Sequence, residues 1–393
     1  MGTRDDGVPF PAVEARVHID GEVLREISPA RVHKPLAGGT ETGNGCQMRV
    51  VIDALGATRF SGGMMLHAME IIRTWREEFP ADRMTVVGGR ALQQKLVSVP
   101  DIKFIVWNNE HVAGRSVGQL FVSPLIGLLQ RADRVISLSP IVSPLVPKSR
   151  SICFQHDWRH IRRPEEFSTS QKLYRKLWVL SARTAGLNAC ISSKAEYETH
   201  QIAPGAKTKI VPNGWDHARR WDFDDSFLSG IGPNYVVTYG HHNNKRPELV
   251  IDAWKGVPKE FNLVVLGARG EYLKYLEKYA SVAGVHDRVI FPGFVSDDEY
   301  HSLVKWASCI VLASSDEGFG LPIAEAEYFA IPAVVTEDIG VLNIFPRAVV
   351  AKVEPADIGK AINTAITKGQ ESRKEVEFVS WVDTVKKLRY VNI

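Results

Sequence analysis

The chain has 393 residues, of which 45% are hydrophobic and 24% are charged, and its formal net charge is +3. This length is too great for one ordinary hydrophobic core and predicts two domains of comparable size. The composition excludes a disordered chain, and the mild charge argues against a nucleic-acid-binding protein. Four cysteines lie far apart without a CxxC pair, at Cys46, Cys153, Cys190 and Cys309. We expect buried free thiols and a reducing compartment.

The beginning of the chain is polar and contains many glycines and prolines. Its first residues, MGTRDDGVPFP, lack the apolar core of a signal peptide. We predict a loosely structured N-terminal extension over residues 1–47 and a cytoplasmic protein. The nearest approach to a membrane span, residues 117–146, is interrupted by proline, glutamine and charged residues. Any membrane contact is therefore expected to be peripheral, at the inner face of the cell membrane.

From Met48 onward, short apolar strands alternate with helical segments. The first predicted series is 48–53, 84–88, 103–107, 134–138, 151–155, 189–192 and 208–212. The second predicted series is 235–239, 263–267, 289–292, 309–313 and 333–336. This alternation is typical of an α/β fold with parallel sheets covered by helices on both faces. We predict two doubly wound, Rossmann-like domains, 48–215 and 216–372, that face each other across a cleft. Ligands bind such sheets at the carboxyl ends of the strands.

One predicted strand end offers a site for an anion. The strand 309–313 leads into the loop 314–320, and a helix is predicted to begin near Pro322. Gly318 and Gly320 let a ligand approach the backbone closely. The start of a helix carries partial positive charge and free N–H groups, which suit a diphosphate.

Two glutamates, Glu317 and Glu325, flank this predicted anion site. Their carboxylates can accept hydrogen bonds from hydroxyls at either end of a nucleotide-sugar. The Glu-x7-Glu spacing, with EGFGLP inside it, resembles the signature of the retaining family-4 glycosyltransferases of the GT-B fold (glycosyl transferases group 1). An ordinary turn between strand and helix, with acidic residues at the helix start, is the alternative. The eight ordered positions favour the family.

The resemblance extends over about residues 48–393 and implies an activity. A family member transfers a sugar from a nucleotide-diphosphate sugar to an acceptor hydroxyl, retains the anomeric configuration and needs neither a metal ion nor another cofactor. Glu325 would bind the ribose hydroxyls and Glu317 the hydroxyls of the sugar. The diphosphate would lie against Gly318, Phe319, Gly320 and Leu321. A C-terminal helix within 373–393 would cross back to the first domain.

Two features of the first predicted domain also match the family. Gly62 and Gly63 follow the first strand and resemble the glycine loop that faces the phosphates of the sugar donor; a plain turn explains them equally well. His156 ends a strand in the order Gln-His-Asp. The resemblance implies that this histidine approaches the sugar being transferred, whereas a structural histidine is the alternative.

In the second predicted domain, Gly240 is followed by the sequence HHNNKRP, which contains one lysine and one arginine. Family members have an arginine shortly after this glycine and a lysine about five residues on, and both stabilise the departing diphosphate. Lys245 fits the lysine, with a solvated lysine at a helix start as its alternative. His241 or His242 stands in the arginine's place. Arg246 could supply the second cation.

An Asp-x-Asp motif offers a different interpretation. Asp222 and Asp224 match the Asp-x-Asp pattern that holds a divalent metal, but they follow no apolar strand and lie beside Arg219 and Arg220. We predict a solvated charge cluster there. No His/Cys grouping has zinc spacing, and no GxGxxG follows the first strand, which argues against a dinucleotide oxidoreductase.

The acceptor and the membrane contact are less defined. The resemblance implies a saccharide or lipid-linked acceptor in cell-surface polysaccharide or glycolipid synthesis. The basic and aromatic stretch 158–183 either lies against a membrane or forms a core-facing helix with a solvated basic side, and the second is favoured. Two alternative functions stay open: an isomerase, epimerase or phosphorylase on the same architecture, and a non-catalytic nucleotide-sugar-binding subunit. The sequence names neither the nucleotide, the sugar nor the oligomeric state.

Overall fold

The computed structural model describes residues 18–19, 22–23, 47–241, 243–293, 295–368 and 378–393. The chain divides into two units, Met1–Gly45 and Cys46–Ile393. The described part of the first unit is the antiparallel pair of strands β1 (His18–Ile19) and β2 (Glu22–Val23). The rest of the predicted extension up to residue 46, including Cys46, lies outside the described residues.

The second unit contains a seven-stranded parallel sheet. Its strands are β3 (Arg49–Asp53), β4 (Arg83–Gly88), β5 (Lys103–Val106), β6 (Arg134–Ser137), β7 (Ser151–Gln155), β8 (Leu187–Cys190) and β9 (Thr208–Ile210). They lie in the order β5-β4-β3-β6-β7-β8-β9, and each pair of neighbours is parallel.

The same unit contains a second, six-stranded parallel sheet. Its strands are β10 (Tyr235–Tyr239), β11 (Asn262–Leu266), β12 (Val289–Ile290), β13 (Cys309–Leu312), β14 (Ala333–Thr336) and β15 (Val349–Ala351). They lie in the order β12-β11-β10-β13-β14-β15. Every residue of the central strands β7, β10 and β13 is buried, as expected where helices cover both faces.

Thirteen α-helices connect these strands within the described residues. They are α1 (Gly62–Glu78), α2 (Arg90–Lys95), α3 (Val112–Val117), α4 (Ser123–Leu129), α5 (Arg159–Arg162), α6 (Thr169–Thr184), α7 (Ser193–Ile202), α8 (Pro247–Ala253), α9 (Gly270–Val282), α10 (Asp297–Lys305), α11 (Leu321–Tyr328), α12 (Pro355–Lys368) and α13 (Trp381–Tyr390). A π-helical segment, Gly118–Val122, joins α3 to α4 without a break.

The two sheets share one topology, and the predicted α/β fold with two doubly wound sheets is confirmed. In each sheet the strand that comes first along the chain, β3 or β10, lies between the second strand and the fourth. The strand order reverses at this point and leaves a crevice at the carboxyl ends, where ligands bind in such folds. The loops after β3, β6, β10 and β13 therefore border the candidate site.

Each predicted strand from residue 48 onward has a counterpart, with ends that differ by a few residues. Strand β15 was missed. It has three residues at the edge of its sheet, and its side chains are mostly not buried. A short edge strand lacks the continuous apolar run that marks a buried one. Cys153, Cys190 and Cys309 are buried free thiols, as predicted.

The last helix packs against the first. Arg389 on α13 forms an ion pair with Asp82, which follows α1, with 2.8 Å between Nε and Oδ2. The Trp381 side chain is fully buried in a cluster that includes residues of both sheets, and its backbone N–H donates to Asp216 Oδ1 at 2.8 Å. The C-terminal helix thus braces the segment that connects the two sheets.

Candidate active site

The loop after β13 ends in a backbone conformation that favours glycine. Gly320 has φ of 94° and directly precedes α11. A Cβ at this position would lie 3.1 Å from the Phe345 ring, so the left-handed turn is also tightly packed. Pro322 lies in the first turn of α11, where its missing N–H costs nothing.

The starts of two helices from different sheets face each other across the candidate site. A Cβ on Gly63, at the start of α1, would lie 3.5 Å from Cδ1 of Leu321, at the start of α11. A Cβ on Gly62 would meet nothing within 4 Å. Each helix start carries free N–H groups and partial positive charge. Both helix starts are therefore suited to bind an anion.

An ion pair lies at the ends of the two central strands of the second sheet. Lys245 follows β10, Glu317 follows β13, and Lys245 Nζ lies 2.5 Å from Glu317 Oε1. A backbone hydrogen bond of 2.9 Å from Ser315 to Asn244 fixes the two loops together. Both side chains are largely buried, so their interaction is less screened than that of a surface pair. The amine and the carboxylate are thereby held at the edge where a ligand would bind.

Glu325 is buried and has a hydrogen-bond donor at each carboxylate oxygen. Tyr300 donates to Oε2 at 2.5 Å, and His217 Nε2 lies 3.2 Å from Oε1. Trp381 Nε1, which can only donate, lies 3.4 Å from His217 Nδ1. This places the imidazole proton on Nε2, where it is donated to Glu325. Burial and the neighbouring Glu325 charge raise the pKa of Tyr300 well above its usual value, so this hydroxyl remains a donor.

Residues 220–377 match the family described as Glycosyl transferases group 1. This part of the chain is a glycosyl transferases group 1 domain. It contains Lys245, Glu317 and Glu325, whereas Gly63 and His156 lie before it.

A curated relative and two solved structures resemble the chain. An uncharacterised glycosyltransferase of Methanocaldococcus jannaschii is 29% identical over 157 residues, which are 37% of this chain and 40% of that protein. The chain thus aligns with less than half of that relative. One structure is HepE of Anabaena, solved with UDP and glucose. Its match covers 87% of this chain and 95% of the HepE chain, at a TM-score of 0.64 and 20% identity. The other is the UDP-GlcNAc 2-epimerase of Methanocaldococcus jannaschii. Its match covers 88% of this chain and 99% of the epimerase chain, at a TM-score of 0.55 and 12% identity. At these identities the structures show the shared fold.

Within the glycosyl transferases group 1 domain, several hydrogen bonds hold the Arg246 side chain. Its guanidinium forks onto Asp338 at 2.7 and 2.9 Å, and Nε donates to the Ala313 carbonyl at 2.6 Å. Burial opposes ionisation of Asp338, but the hydrogen bonds and charge of Arg246 outweigh it and lower the pKa of Asp338. Arg246 therefore joins the ends of β13 and β14. Its predicted contact with a diphosphate stays a prediction.

Gly240 is closely packed within the same domain. Its backbone N–H donates to the Leu266 carbonyl at 2.7 Å, and a Cβ there would lie 3.0 Å from Val265. His241 is exposed and lies against Gly267, whereas His242 lies outside the described residues.

His156 reaches the site from the first sheet, before the glycosyl transferases group 1 domain. Its Nε2 lies 2.9 Å from the Leu138 carbonyl oxygen, so Nε2 carries the proton and Nδ1 is free to accept one. Burial lowers the pKa of His156 and keeps the ring neutral. The His67 ring packs edge-to-face on it at 4.7 Å between centroids. His67 was not predicted as a site residue, because it lies in no recognisable motif.

A second ion pair joins the loop after β13 to helix α7, which connects two strands of the first sheet. It was not predicted from the sequence. Lys194, in the first turn of α7, pairs with Asp316 and donates to the Glu317 carbonyl at 2.7 Å. Arg162 lies 3.3 Å from the same Asp316 carboxylate. Lys194 and Asp316 are 122 residues apart. Ser192 and Ser193 precede Lys194, and serine is typical of a helix start.

The Asp-x-Asp motif, Asp222 and Asp224, lies at a short helical turn that the Asp224 side chain caps. Asp224 Oδ1 accepts from the Ser226 backbone at 3.0 Å, and the side chains in this stretch are largely exposed. Among the described residues, no group of three or more His, Cys, Asp or Glu is placed to hold a metal ion.

Proposed function

We propose that the chain is a retaining, metal-independent glycosyltransferase that moves a sugar from a nucleotide-diphosphate sugar to an acceptor hydroxyl. The observation that carries this proposal is the Lys245–Glu317 ion pair beside the start of α11. The glycosyl transferases group 1 domain and the UDP and glucose bound by HepE support the class of reaction and of sugar donor.

The positive groups of the site suit the departing nucleoside diphosphate. Negative charge develops on the leaving oxygen as the bond to the sugar breaks. Lys245 and the free N–H groups at the start of α11 can stabilise that charge without reorganising. The start of α1, which faces Leu321 through Gly63, supplies a second positive end. Together these groups take the place of a divalent metal in neutralising the diphosphate.

The acidic groups suit the two ends of the sugar donor. Glu325 is oriented by Tyr300 and His217, and its remaining acceptor positions can bind ribose hydroxyls. Glu317 can bind hydroxyls of the transferred sugar while Lys245 turns toward the diphosphate. His156 Nδ1 can accept a further hydroxyl from the side of the first sheet.

The chemical step needs no separate base. The bond between the anomeric carbon and the diphosphate breaks, and its electron pair leaves with the diphosphate oxygen. The acceptor hydroxyl attacks the resulting oxocarbenium-like sugar on the same face. Its proton passes to the departing phosphate oxygen, so atoms and charge balance. Closure of the cleft excludes water and limits hydrolysis of the sugar donor.

The cellular setting belongs to the same proposal. The acceptor is a saccharide or a lipid-linked sugar, and the product enters cell-surface polysaccharide or glycolipid on the cytoplasmic side. Because the fold is shared with a UDP-GlcNAc 2-epimerase, fold alone does not decide the reaction. An epimerase would consume sugar nucleotide without an acceptor, and a binding subunit would not consume it at all.

A two-stage experiment tests the proposal. Thermal shift against UDP, GDP, ADP and dTDP sugars identifies the sugar donor, since a bound ligand raises the melting temperature. Transfer is then measured with that sugar donor, simple saccharide acceptors and EDTA, and NMR establishes the anomeric configuration of the product. We expect transfer with retention in EDTA, reduced at least about 100-fold in Lys245→Ala and Glu317→Gln.

The matched control is Lys274→Ala, which removes an exposed lysine paired with Glu271 on α9. It should transfer at the wild-type rate. Wild-type rates in both site variants, or turnover of the sugar nucleotide without any acceptor, would contradict the proposal.

A further inference from the structure

An apolar stripe is exposed along the helical stretch 112–129, which comprises α3, the π-helical segment and α4. Its exposed members are Val117, Phe121, Leu125, Leu128 and Leu129, and the last two are each 73% exposed. On helical geometry they fall within one arc of about 120°. Large apolar side chains gathered on one side of a helix mark an interaction surface.

The opposite side of this stretch is fastened to the first sheet. Ser123 Oγ donates to Asp53 Oδ2 at 2.6 Å, and Gln119 Nε2 donates to Ser139 Oγ at 2.7 Å. Among the described residues, 112–129 is the one helix long and apolar enough to cross a membrane, with mean hydropathy of 1.4 and 28% of it buried. Because the buried side of this stretch is held on β3, its apolar side faces outward. The stretch is therefore not free to span a bilayer.

Helix α6 packs against the same stretch and carries positive charge. Tyr174 on α6 donates to Gln119 Oε1 at 3.1 Å, and Arg115 lies over the Tyr174 ring. The outward side of α6 carries exposed Leu173 and Leu180. These two leucines therefore do not face the core, unlike the apolar side of the core-facing helix that was favoured for stretch 158–183.

The outward side of α6 is also basic. Lys172, Lys176 and Arg183 are exposed and fall with Leu173 and Leu180 within an arc of about 100°. Helix α6 contains no acidic residue. The apolar stripe and the outward side of α6 are together called the docking face below.

We propose that the docking face binds the surface of an anionic lipid bilayer. Its leucine and phenylalanine side chains enter the boundary between headgroups and acyl chains, and its lysines and arginine lie among the lipid phosphates. Charge decides between a bilayer and a second copy of the chain. In a dimer, two docking faces would bring their positively charged side chains together. An anionic lipid surface would instead attract these side chains. Docking would hold the cleft near a lipid-linked acceptor; that consequence rests on the proposed function, whereas docking itself does not.

Flotation of the full chain with vesicles tests this proposal. Vesicles of equimolar phosphatidylglycerol and phosphatidylcholine should bind the wild type, more weakly at high salt, and vesicles of phosphatidylcholine alone should bind it far less. Leu125→Glu combined with Leu128→Glu should weaken binding at least about tenfold, and so should Lys172→Glu combined with Lys176→Glu.

Matched controls exclude a general effect of surface charge. Val282→Glu changes an 82% exposed valine at the end of α9, and Lys255→Glu changes an exposed lysine after α8. Both should bind vesicles like the wild type. Circular dichroism and melting temperature show whether each variant is folded.

Three results would overturn the proposal. The first is equal binding of the docking-face variants and the wild type, and the second is absence of wild-type binding to the anionic vesicles. The third is a lipid-free dimer that dissociates in Leu125→Glu/Leu128→Glu, which would make the face a contact between copies. Binding is measured without sugar donor or acceptor, so its failure leaves the proposed reaction standing, and the reverse also holds.

Discussion

The backbone of Gly318 lies directly against the carbonyl oxygen of His156, so that a Cβ at residue 318 would lie 2.1 Å from that oxygen. The two residues follow strands β13 and β7 of different sheets. The contact fixes the loop that carries Glu317 at a set distance from the first sheet. Glycine is therefore needed at residue 318 for close approach between two backbones.

Replacing Gly318 with alanine should separate these loops. Because the opposing atom belongs to the backbone, it cannot move aside as a flexible side chain would. We expect a loss of about 1–3 kcal/mol in the free energy of unfolding and a larger proportional loss of transfer. Chemical denaturation and steady-state kinetics measure the two effects. Gly256→Ala is the control, since a Cβ there meets nothing within 4 Å; equal behaviour of both variants would show that the contact is unimportant.

Replacing Tyr300 with phenylalanine should weaken sugar-donor binding. The change removes the donor to Glu325 Oε2 but leaves His217 on Oε1. Loss of one hydrogen bond to a charged group, about 1.5 kcal/mol, corresponds to about tenfold in the dissociation constant of the nucleotide. Calorimetry with the nucleoside diphosphate measures it. Tyr279→Phe removes a similar bond, to Asp252 on α8, and should bind like the wild type. Unchanged affinity in Tyr300→Phe would mean that Glu325 needs no orienting.

Arg246→Lys distinguishes a structural role from a phosphate-binding role. Lysine cannot reproduce the fork on Asp338 together with the bond to the Ala313 carbonyl. If Arg246 mainly joins β13 to β14, the variant should lose about 1–3 kcal/mol of stability. The affinities for nucleoside mono- and diphosphate should then fall by the same factor. A selective loss of diphosphate affinity would instead assign Arg246 as the second cation.

Asp53 should make stability depend on pH. Burial outweighs its bonds from Ser123 and Leu55 and raises its pKa from 3.8 to about 6. The folded state therefore binds this proton more tightly than the unfolded state. The contribution of Asp53 to stability falls as pH rises from about 4 to about 6 and is constant above. Between pH 7 and pH 5 the wild type should gain about 1 kcal/mol relative to Asp53→Asn.

Urea denaturation at both pH values measures this difference. Asp287→Asn, which changes an exposed carboxyl group, serves as the control and should follow the wild type. A pH dependence in Asp53→Asn identical to that of the wild type would show that Asp53 keeps one ionisation state over this range.

The sequence by itself determined the features that depend on neighbours along the chain. Apolar runs alternating with helical segments predicted both parallel sheets, because each strand and helix must bury its own apolar side. The loop from Glu317 to Gly320 and the start of α11 were predicted because glycine, proline and helix-end chemistry act within a few residues. Lys245 was singled out through the family resemblance, by its place after Gly240.

Only the tertiary structure decided which distant groups meet. The donors to Glu325, the Lys194–Asp316 pair and the fork of Arg246 on Asp338 each join residues far apart in the chain, and the order of the strands brings them together. The exposure of Leu173 and Leu180 also could not be predicted from the sequence. Helical spacing shows that apolar residues share one side of a helix, but whether protein covers that side depends on how the helix packs.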